Sequence, residues 1–219
     1  MSRVLVIPDC HLPYHYKDLI HYLKSQKQLL KPDRVVFLGD LIDAHALSRW
    51  THDPDLKSAG DEIISANETL KEIYKIFPVA NLCLGNHDIR GGKKALDCGI
   101  PRIFIRELRD VLNMPDGWNV EKHHIIDGVL YWHGDGLSSK TALLASLNKK
   151  KQSNVFGHCH GMAGVVYQND GLTTRLAMNA GCLVDIEAMA YLYAENSEVK
   201  ASLGSGIVFD GIRAIWHPL

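Results

Sequence analysis

Val79-Ala80-Asn81-Leu82-Cys83-Leu84-Gly85-Asn86-His87-Asp88 is the stretch that decides the fold. Val79 to Leu84 reads as a buried strand, Gly85 as a tight turn, and Asn86-His87-Asp88 as polar groups delivered just past the strand end, where an α/β sheet presents its chemistry. Four other stretches share this form: Val4 to Ile7 runs into Asp9-Cys10-His11, Val35 to Leu38 into Gly39-Asp40, Val129 to Trp132 into His133-Gly134-Asp135, and Asn154 to Phe156 into Gly157-His158-Cys159-His160. Five strand ends with ligand-type side chains predict one site assembled from five loops.

Working outward, the first half alternates strand and helix. Arg3 to Ile7 is followed by a helical pattern over Lys17 to Leu30, with apolar Leu19, Ile20, Leu23 and Leu30, ended by Lys31-Pro32. Arg34 to Leu38 is a second strand. A long connection from Gly39 to Gly60 leads to a helix over about 61–76, whose stripe is Ile63, Ile64, Leu70, Ile73, Tyr74 and Phe77 and which Pro78 closes. With Val79 to Leu84 this is a βαβαβ pattern, which implies a parallel sheet.

After Asp88, helical spacing returns over Arg102 to Leu112 through Ile103, Ile105, Leu108 and Val111. Strands follow. Asp127-Gly128 between Ile125-Ile126 and Val129-Leu130, and Asp210-Gly211 between Val208-Phe209 and Ile212, carry the signature of tight hairpins. Val165 to Thr174, broken by Asn169-Asp170-Gly171, is a third candidate, and Ser138 to Lys151 reads as a helix capped by Ser138 or Ser139 with a basic end. The second half is therefore expected to be a mixed sheet built largely of hairpins. With 219 residues, 46% of them hydrophobic, and no linker or repeat, one domain over 1–219 is expected.

The net charge of -1 gives no global basic footprint for nucleic acid or an anionic membrane, although a local patch is compatible with it. No apolar run approaches the roughly 18 residues of a membrane span, and Val4 to Ile7 is too short for a signal-peptide core, so a soluble, cytoplasmic protein without a membrane partner is expected. The five cysteines are odd in number and lack Cys-x-x-Cys spacing, which argues for reduced, mostly buried thiols. Cys10 and Cys159 alternate with proposed ligands and should point away from them.

Two divalent cations about 3.5–4 Å apart clamp the attacking and leaving oxygens of an in-line displacement at phosphorus. They need a shared carboxylate and ligands of borderline hardness, which imidazole, carboxylate and amide oxygen supply and which suit manganese, iron or zinc better than calcium. Asp9, His11, Asp40, Asn86, His133, His158 and His160 make up such an inventory. Taken singly, an Asp-x-His or Asn-His is ordinarily a turn or a cap. Their conjunction in order is what argues for a site.

The ordered set Asp-x-His, Gly-Asp-x-x-Asp, Gly-Asn-His-Asp, His-Gly-Asp and Gly-His-x-His, spanning residues 9 to 160, resembles the calcineurin-like metallophosphoesterase superfamily. The connection containing Ser48-Arg49-Trp50 and Asp53-Pro54, with the later Gly181-Cys182-Leu183, is similar to a compact phage and bacterial branch of it. The resemblance implies a four-layer α/β sandwich of two mixed β-sheets flanked by helices. It implies that Asp9, His11 and His160 hold one metal, Asn86, His133 and His158 a second, and that Asp40 bridges, with manganese foremost among iron, zinc and nickel. His87 would be a general acid outside the metal shell, oriented by Asp43.

The activity so implied is hydrolysis of phosphate esters by a metal-bridging hydroxide, with His87 protonating the leaving oxygen. Phosphodiesters are expected over phosphoprotein monoesters, because Gly-Asn-His-Asp is common in the superfamily's diesterases and nucleases, and Ala44-His45 stands after Asp43 where phosphoprotein phosphatases carry Arg-Gly. A nucleotide or a locally accessible nucleic acid fits this better than long duplex. The alternatives are a phosphomonoesterase and a non-catalytic protein-binding scaffold, as in a retromer subunit of the superfamily; the complete ligand set and the retained His87 favour the enzyme. Arg49, in the loop after Asp40, is a candidate contact for substrate phosphate, and a solvated arginine is the plainer reading. Arg102, Arg106 and Arg109, and the run Lys149-Lys150-Lys151, read more simply as solvated faces than as a nucleic-acid track. Asp88 and Asp135 read as turn or supporting residues, and His45 is the best placed of the remaining histidines to matter.

Overall fold

Alternation along β1 (Arg3–Ile7) sets the layering of the computed structural model, which describes residues 2–48, 55–137, 140–188 and 200–219. Leu5 and Ile7 face one way into a core with Leu19, Leu23, Leu70 and Ile73, whereas Val4 and Val6 face the other way into a core with Val129, Tyr131, Val155 and Met178. A strand apolar on both faces must be covered on both, and this one is the middle of a sandwich.

Helices α1 (Leu19–Leu30) and α2 (Ala59–Ile76) cover the outer face. Ser58 caps α2 by accepting a hydrogen bond from the Asp61 backbone N–H at 3.2 Å, and Asp61 and Glu62 in the first turn suit the positive end of the helix. Strands β2 (Arg34–Phe37), β3 (Ala80–Cys83) and β4 (Trp118–Glu121) follow β1 in parallel, completing the expected βαβαβ pattern. Between β3 and β4 lie the short helices α3 (Arg90–Asp97) and α4 (Leu108–Val111).

The second sheet contains β5 (His123–Ile126), β6 (Val129–Trp132), β7 (Asn154–Phe156), β8 (Gly164–Asn169) and β9 (Thr174–Asn179), in the order β5-β6-β7-β9-β8. Its outer face packs Leu130, Trp132 and Phe156 against Ala142 and Leu143 of α5 (Ala142–Lys150). Helices, sheet, sheet and helix make four layers, and both sheets mix parallel with antiparallel pairs.

Asp127-Gly128 and Asp210-Gly211 have positive φ at both residues (52° and 75°, 49° and 71°), as tight hairpin turns require. The second of these hairpins, β10 (Gly204–Phe209) with β11 (Arg213–Pro218), departs from expectation by joining the first sheet. It pairs with β1 at Leu5↔Ile207 and so closes the edge that β1 would otherwise expose. The third predicted hairpin is β8/β9, with a longer loop in which Asp170 Oδ1 accepts from the Leu172 and Thr173 backbone N–H groups.

Residues 102–112 are not one helix. A 3₁₀ turn at Arg102–Phe104 gives way to extended backbone at Ile105 and Glu107 before α4. Among the described residues no layer lies over Ile103 and Phe104, which are 87% and 75% exposed, so burial gives the helix no reason to continue. The helix expected from Ser138 starts only at Ala142; its predicted caps Ser138 and Ser139 lie outside the described residues. Two elements, α3 and β4, were not expected, although Trp118 and Val120 of β4 do alternate with polar neighbours.

Candidate metal centre

All five predicted loops open on one end of the sandwich. Beyond β2, Asp40 takes a left-handed conformation (φ 46°), and its Oδ1 accepts from the His87 backbone N–H at 2.8 Å. The loop after β3 reaches it only because residue 85 is glycine: a Cβ there would lie 2.2 Å from Asp40 N and Oδ1. Gly157 plays the same part across the sheets, since its Cβ would meet Asp9 Oδ1 at 2.1 Å. The next backbone N–H, of His158, donates to Asp9 Oδ2 at 2.7 Å and ties the loop after β7 to the loop after β1.

These contacts gather the donor atoms into adjoining groups. Ligand atoms of Asp9, His11 and His160 lie within 4.8 Å of one another, and so do those of Asp40, His133 and His158. Asn86 joins the second group through its Oδ1, 3.0 Å from His133 Nε2. Asp40 Oδ2 sits 3.2 Å from His133 Nε2 and 3.7 Å from His11 Nε2, between the two sets. His87 is near as well: with His11 and Asp40 it forms a third group, its Nε2 3.8 Å from Asp40 Oδ2.

The chemistry of these donors fits a cation. His133 Nδ1–H donates to Leu38 O at 2.9 Å and His11 Nδ1–H donates to Asp43 Oδ1 at 2.6 Å, which leaves each Nε2 turned into the site. Around His133 Nε2 stand three further acceptors: Asp40 Oδ2, Asn86 Oδ1 and, at 3.2 Å, His158 Nδ1. Lone pairs so crowded need a proton or a metal among them. Buried Asp9 Oδ1 accepts no hydrogen bond among the described residues, which leaves it available in the same way.

The charge balance of the metal-free protein points to the same place. Burial pushes the His133 imidazole down, but the Asp40 carboxylate beside it outweighs burial, and its pKa rises to about 10. Burial alone would raise Asp40; His133 and His87 hold it well below the usual carboxylate range instead. Burial and His133 lower His158, and burial with His87 lowers His11. A proton thus occupies the position that a cation would take, and metal binding would expel it.

Supporting residues lock the frame. Asp88 is buried and accepts from the backbone N–H groups of Leu41 (2.9 Å), Ile42 (3.2 Å) and Gly85 (2.9 Å), joining the loops after β2 and β3 as a turn residue should. Burial, then Asp40, pushes its pKa up to about 6. Asp43 was expected to orient His87. Its Oδ1 lies 3.0 Å from His87 Nδ1 and also accepts from His11, so one carboxylate serves both imidazoles. His45 is close to it, with Nδ1 3.8 Å from Asp43 Oδ2. Asp135 Oδ1 is 4.0 Å from His133 Nε2 on an exposed side chain.

Sequence reasoning missed Arg90. From the first residue of α3 its Nη2 donates to His87 Nε2 at 2.7 Å and its Nη1 to Asp43 O at 3.1 Å. The available signal was its spacing, three residues after His87. Arg49, the predicted phosphate contact, lies outside the described residues, as do Trp50, Asp53 and Pro54. Cys10 and Cys159 are buried in apolar cores, and burial raises both thiols above their ordinary range.

A sequence profile described as calcineurin-like phosphoesterase matches residues 2–175. No curated protein matches the chain by sequence. Similar solved structures include vacuolar protein sorting 29 from Cryptosporidium parvum, 14% identical over 98% of this chain and 86% of that one, with a TM-score of 0.48. A metallophosphoesterase from Sphaerobacter thermophilus is 14% identical over 94% and 82% of the two chains (TM-score 0.43). The phosphoesterase YfcE from E. coli is 11% identical over 95% and 88% (TM-score 0.47).

Proposed function

The chain belongs to the calcineurin-like phosphoesterase family, and we propose that it is a two-metal hydrolase of phosphodiesters. The observation that carries this reading is the place of Asp40, whose Oδ2 stands 3.2 Å from His133 Nε2 and 3.7 Å from His11 Nε2, between two sets of donors. Asp9, His11 and His160 would hold one ion, Asn86, His133 and His158 the other, and Asp40 both, with manganese first and iron, zinc or nickel as alternatives. Such ions polarise phosphoryl oxygens and lower the pKa of an attacking water from about 15.7 towards about 7.

The remaining work falls to the chain. Attack in line on phosphorus forms one P–O bond and breaks another, and the departing oxygen takes a proton from His87 Nε2. With Nδ1–H donated to Asp43 O at 2.8 Å, the ring is held so that Nε2 faces the site. Arg90 occupies that nitrogen in the free protein, so protonation of Nε2 requires the guanidinium to let go, and a phosphoryl oxygen of the substrate is the acceptor it would turn to. Asp43 steadies both His87 and His11, coupling the acid to the metal shell.

Preference for diesters rests on the Gly85-Asn86-His87-Asp88 form and on Ala44-His45 after Asp43. A cytoplasmic location is supported by five unpaired thiols, four of them buried; no helix among the described residues is long and apolar enough to cross a membrane. The test compares bis(p-nitrophenyl) phosphate with p-nitrophenyl phosphate at equal concentration and saturating manganese. The diester is expected to be the better substrate, and chelator should abolish its hydrolysis. A monoester preference accompanied by phosphopeptide hydrolysis would replace the diesterase with a phosphatase, and no turnover of either by the manganese-loaded protein would favour a scaffold.

A further inference from the structure

Between Arg90 and Arg106 the chain carries five Lys or Arg residues against one acid, Asp97, within a protein of net charge -1. The segment is an exposed flap. No residue of α3 is buried, none of the 3₁₀ turn at Arg102–Phe104 is buried, and Ile103 and Phe104 are 87% and 75% exposed. Its two arms lie together, because a Cβ on Gly92 would stand 3.9 Å from Ile105 Cγ2. The flap is also rooted at the candidate centre. Arg90 begins it on His87, and a Cβ on Gly91 would stand 3.7 Å from Leu47 Cδ1, in the turn that follows Asp43.

We propose that this flap seats single-stranded nucleic acid, with Lys93, Lys94, Arg102 and Arg106 tracking the backbone, Ile103 and Phe104 meeting the bases, and Arg90 nearest the reacting phosphodiester. The proposal rests on the phosphodiesterase reading and names its substrate class. Charge complementarity selects the partner. Lys93, Lys94 and Arg102 make no ion pair with a carboxylate among the described residues, and Arg106 spends only one N–H on Asp110 O. A polyanion satisfies such cations, and an exposed aromatic beside them gives an unpaired base a face to stack on, which duplex does not offer. Ile103 and Phe104, exposed beside Arg102 in the chain, give the flap an apolar contact next to a charged one, the pair of contacts a single strand uses.

The test is binding of fluorescein-labelled 15-mer oligothymidylate and oligouridylate to the metal-free protein, read by anisotropy, so that turnover plays no part. Binding is expected to weaken with salt, with a log–log slope of about −3 for four backbone contacts. K94E/R102E should weaken it at least about tenfold and flatten the slope by about 1.4, and Phe104→Ala should weaken it about tenfold at unchanged slope. These side chains are exposed, and circular dichroism and melting of the variants serve as the check on folding. No binding by the wild type, equal binding by folded variants, or binding to phosphatidylserine vesicles in preference to the oligonucleotides would overturn the proposal. Hydrolysis of bis(p-nitrophenyl) phosphate by the manganese-loaded wild type separates the two failures: turnover there without oligonucleotide binding removes the flap's role and leaves the diesterase.

Discussion

Asp9, His11 and Asp40 of the first sheet, and His133 at the end of β6 in the second, are almost wholly buried, whereas His160, in the loop after β7, keeps 23% of its side chain exposed. The loops of the first sheet are also fastened to one another: Asp88 accepts three backbone N–H groups, Asp43 holds two imidazoles, and Asp40 accepts from the His87 backbone. The loop carrying His158 and His160 is held by its backbone, through the His158 N–H to Asp9, the Gly157 N–H to His133 O, the Asn179 amide to Cys159 O and the Ser202 N–H to His160 O. The difference teaches a division of labour. Folding sets the geometry of the first-sheet ligands and of His133 in advance, His133 through its Nδ1–H to Leu38 O, and the loop after β7 brings imidazoles that a metal would draw tight.

The largest expected effect breaks this comparison at its centre. Asp40 belongs to the frame yet serves both donor sets, so Asp40→Asn should cut diester hydrolysis by at least about 10³-fold, the equivalent of the several kcal/mol that a metal pair supplies at phosphorus. Manganese content by mass spectrometry should fall with it; retention of two ions would show that Asp40 is not shared. Next, His87→Gln should slow turnover by about 10²–10⁴-fold and leave manganese content unchanged. A lost metal in that variant would place His87 among the ligands, as its distance of 3.8 Å from Asp40 permits.

Two substitutions then sharpen the contrast between this frame and the loop after β7. Asp88→Ala leaves three buried N–H groups without their acceptor, so the metal-free protein should lose about 3 kcal/mol of stability and manganese affinity should drop about 10–100-fold. His160→Gln should weaken manganese by a similar factor while the metal-free melting temperature holds. Equal destabilisation by both would mean that the second-sheet loop is as much a part of the frame as the first.

The smallest effect is one of pH. His133 is protonated at neutral pH in the metal-free protein because its pKa is raised to about 10, so each ion bound there expels one proton. Manganese affinity should rise by about tenfold per pH unit below that value, and calorimetry in buffers of different ionisation enthalpy should count the proton. The same shift sets a stability trend in the opposite direction. An imidazole raised above its unfolded value of 6.5 contributes stability that is whole below that pH and is lost as pH rises towards about 10.

Much of this was legible because it is local. An apolar run followed by Gly and then by Asp, Asn or His shows a strand end with ligands whatever surrounds it, and Asp127-Gly128 and Asp210-Gly211 announce turns through backbone strain that few other residues accept. The unbroken apolar run Val4 to Ile7 gives β1 two apolar faces, and in the structure both are covered. The helical spacing of 102–112 misled because periodicity states which residues share a face and not whether another layer will lie over that face. Ile103 and Phe104 found none among the described residues.

The sequence by itself determined the five ligand-bearing strand ends, the parallel first half and the hairpin turns, since all of these follow from the near-neighbour rules of strand, helix and turn. Only tertiary structure decided which sheet takes the last hairpin, that one Asp43 oxygen serves both His11 and His87, that Arg90 closes on His87, and that Gly92 of α3 comes up against Ile105, just past the turn at 102–104. Each of these depends on residues far apart in the chain, or on the path of the loop between them, meeting within a few ångströms. Such meetings are chosen by the packing of layers against one another, a sum over many weak contacts that no local pattern records.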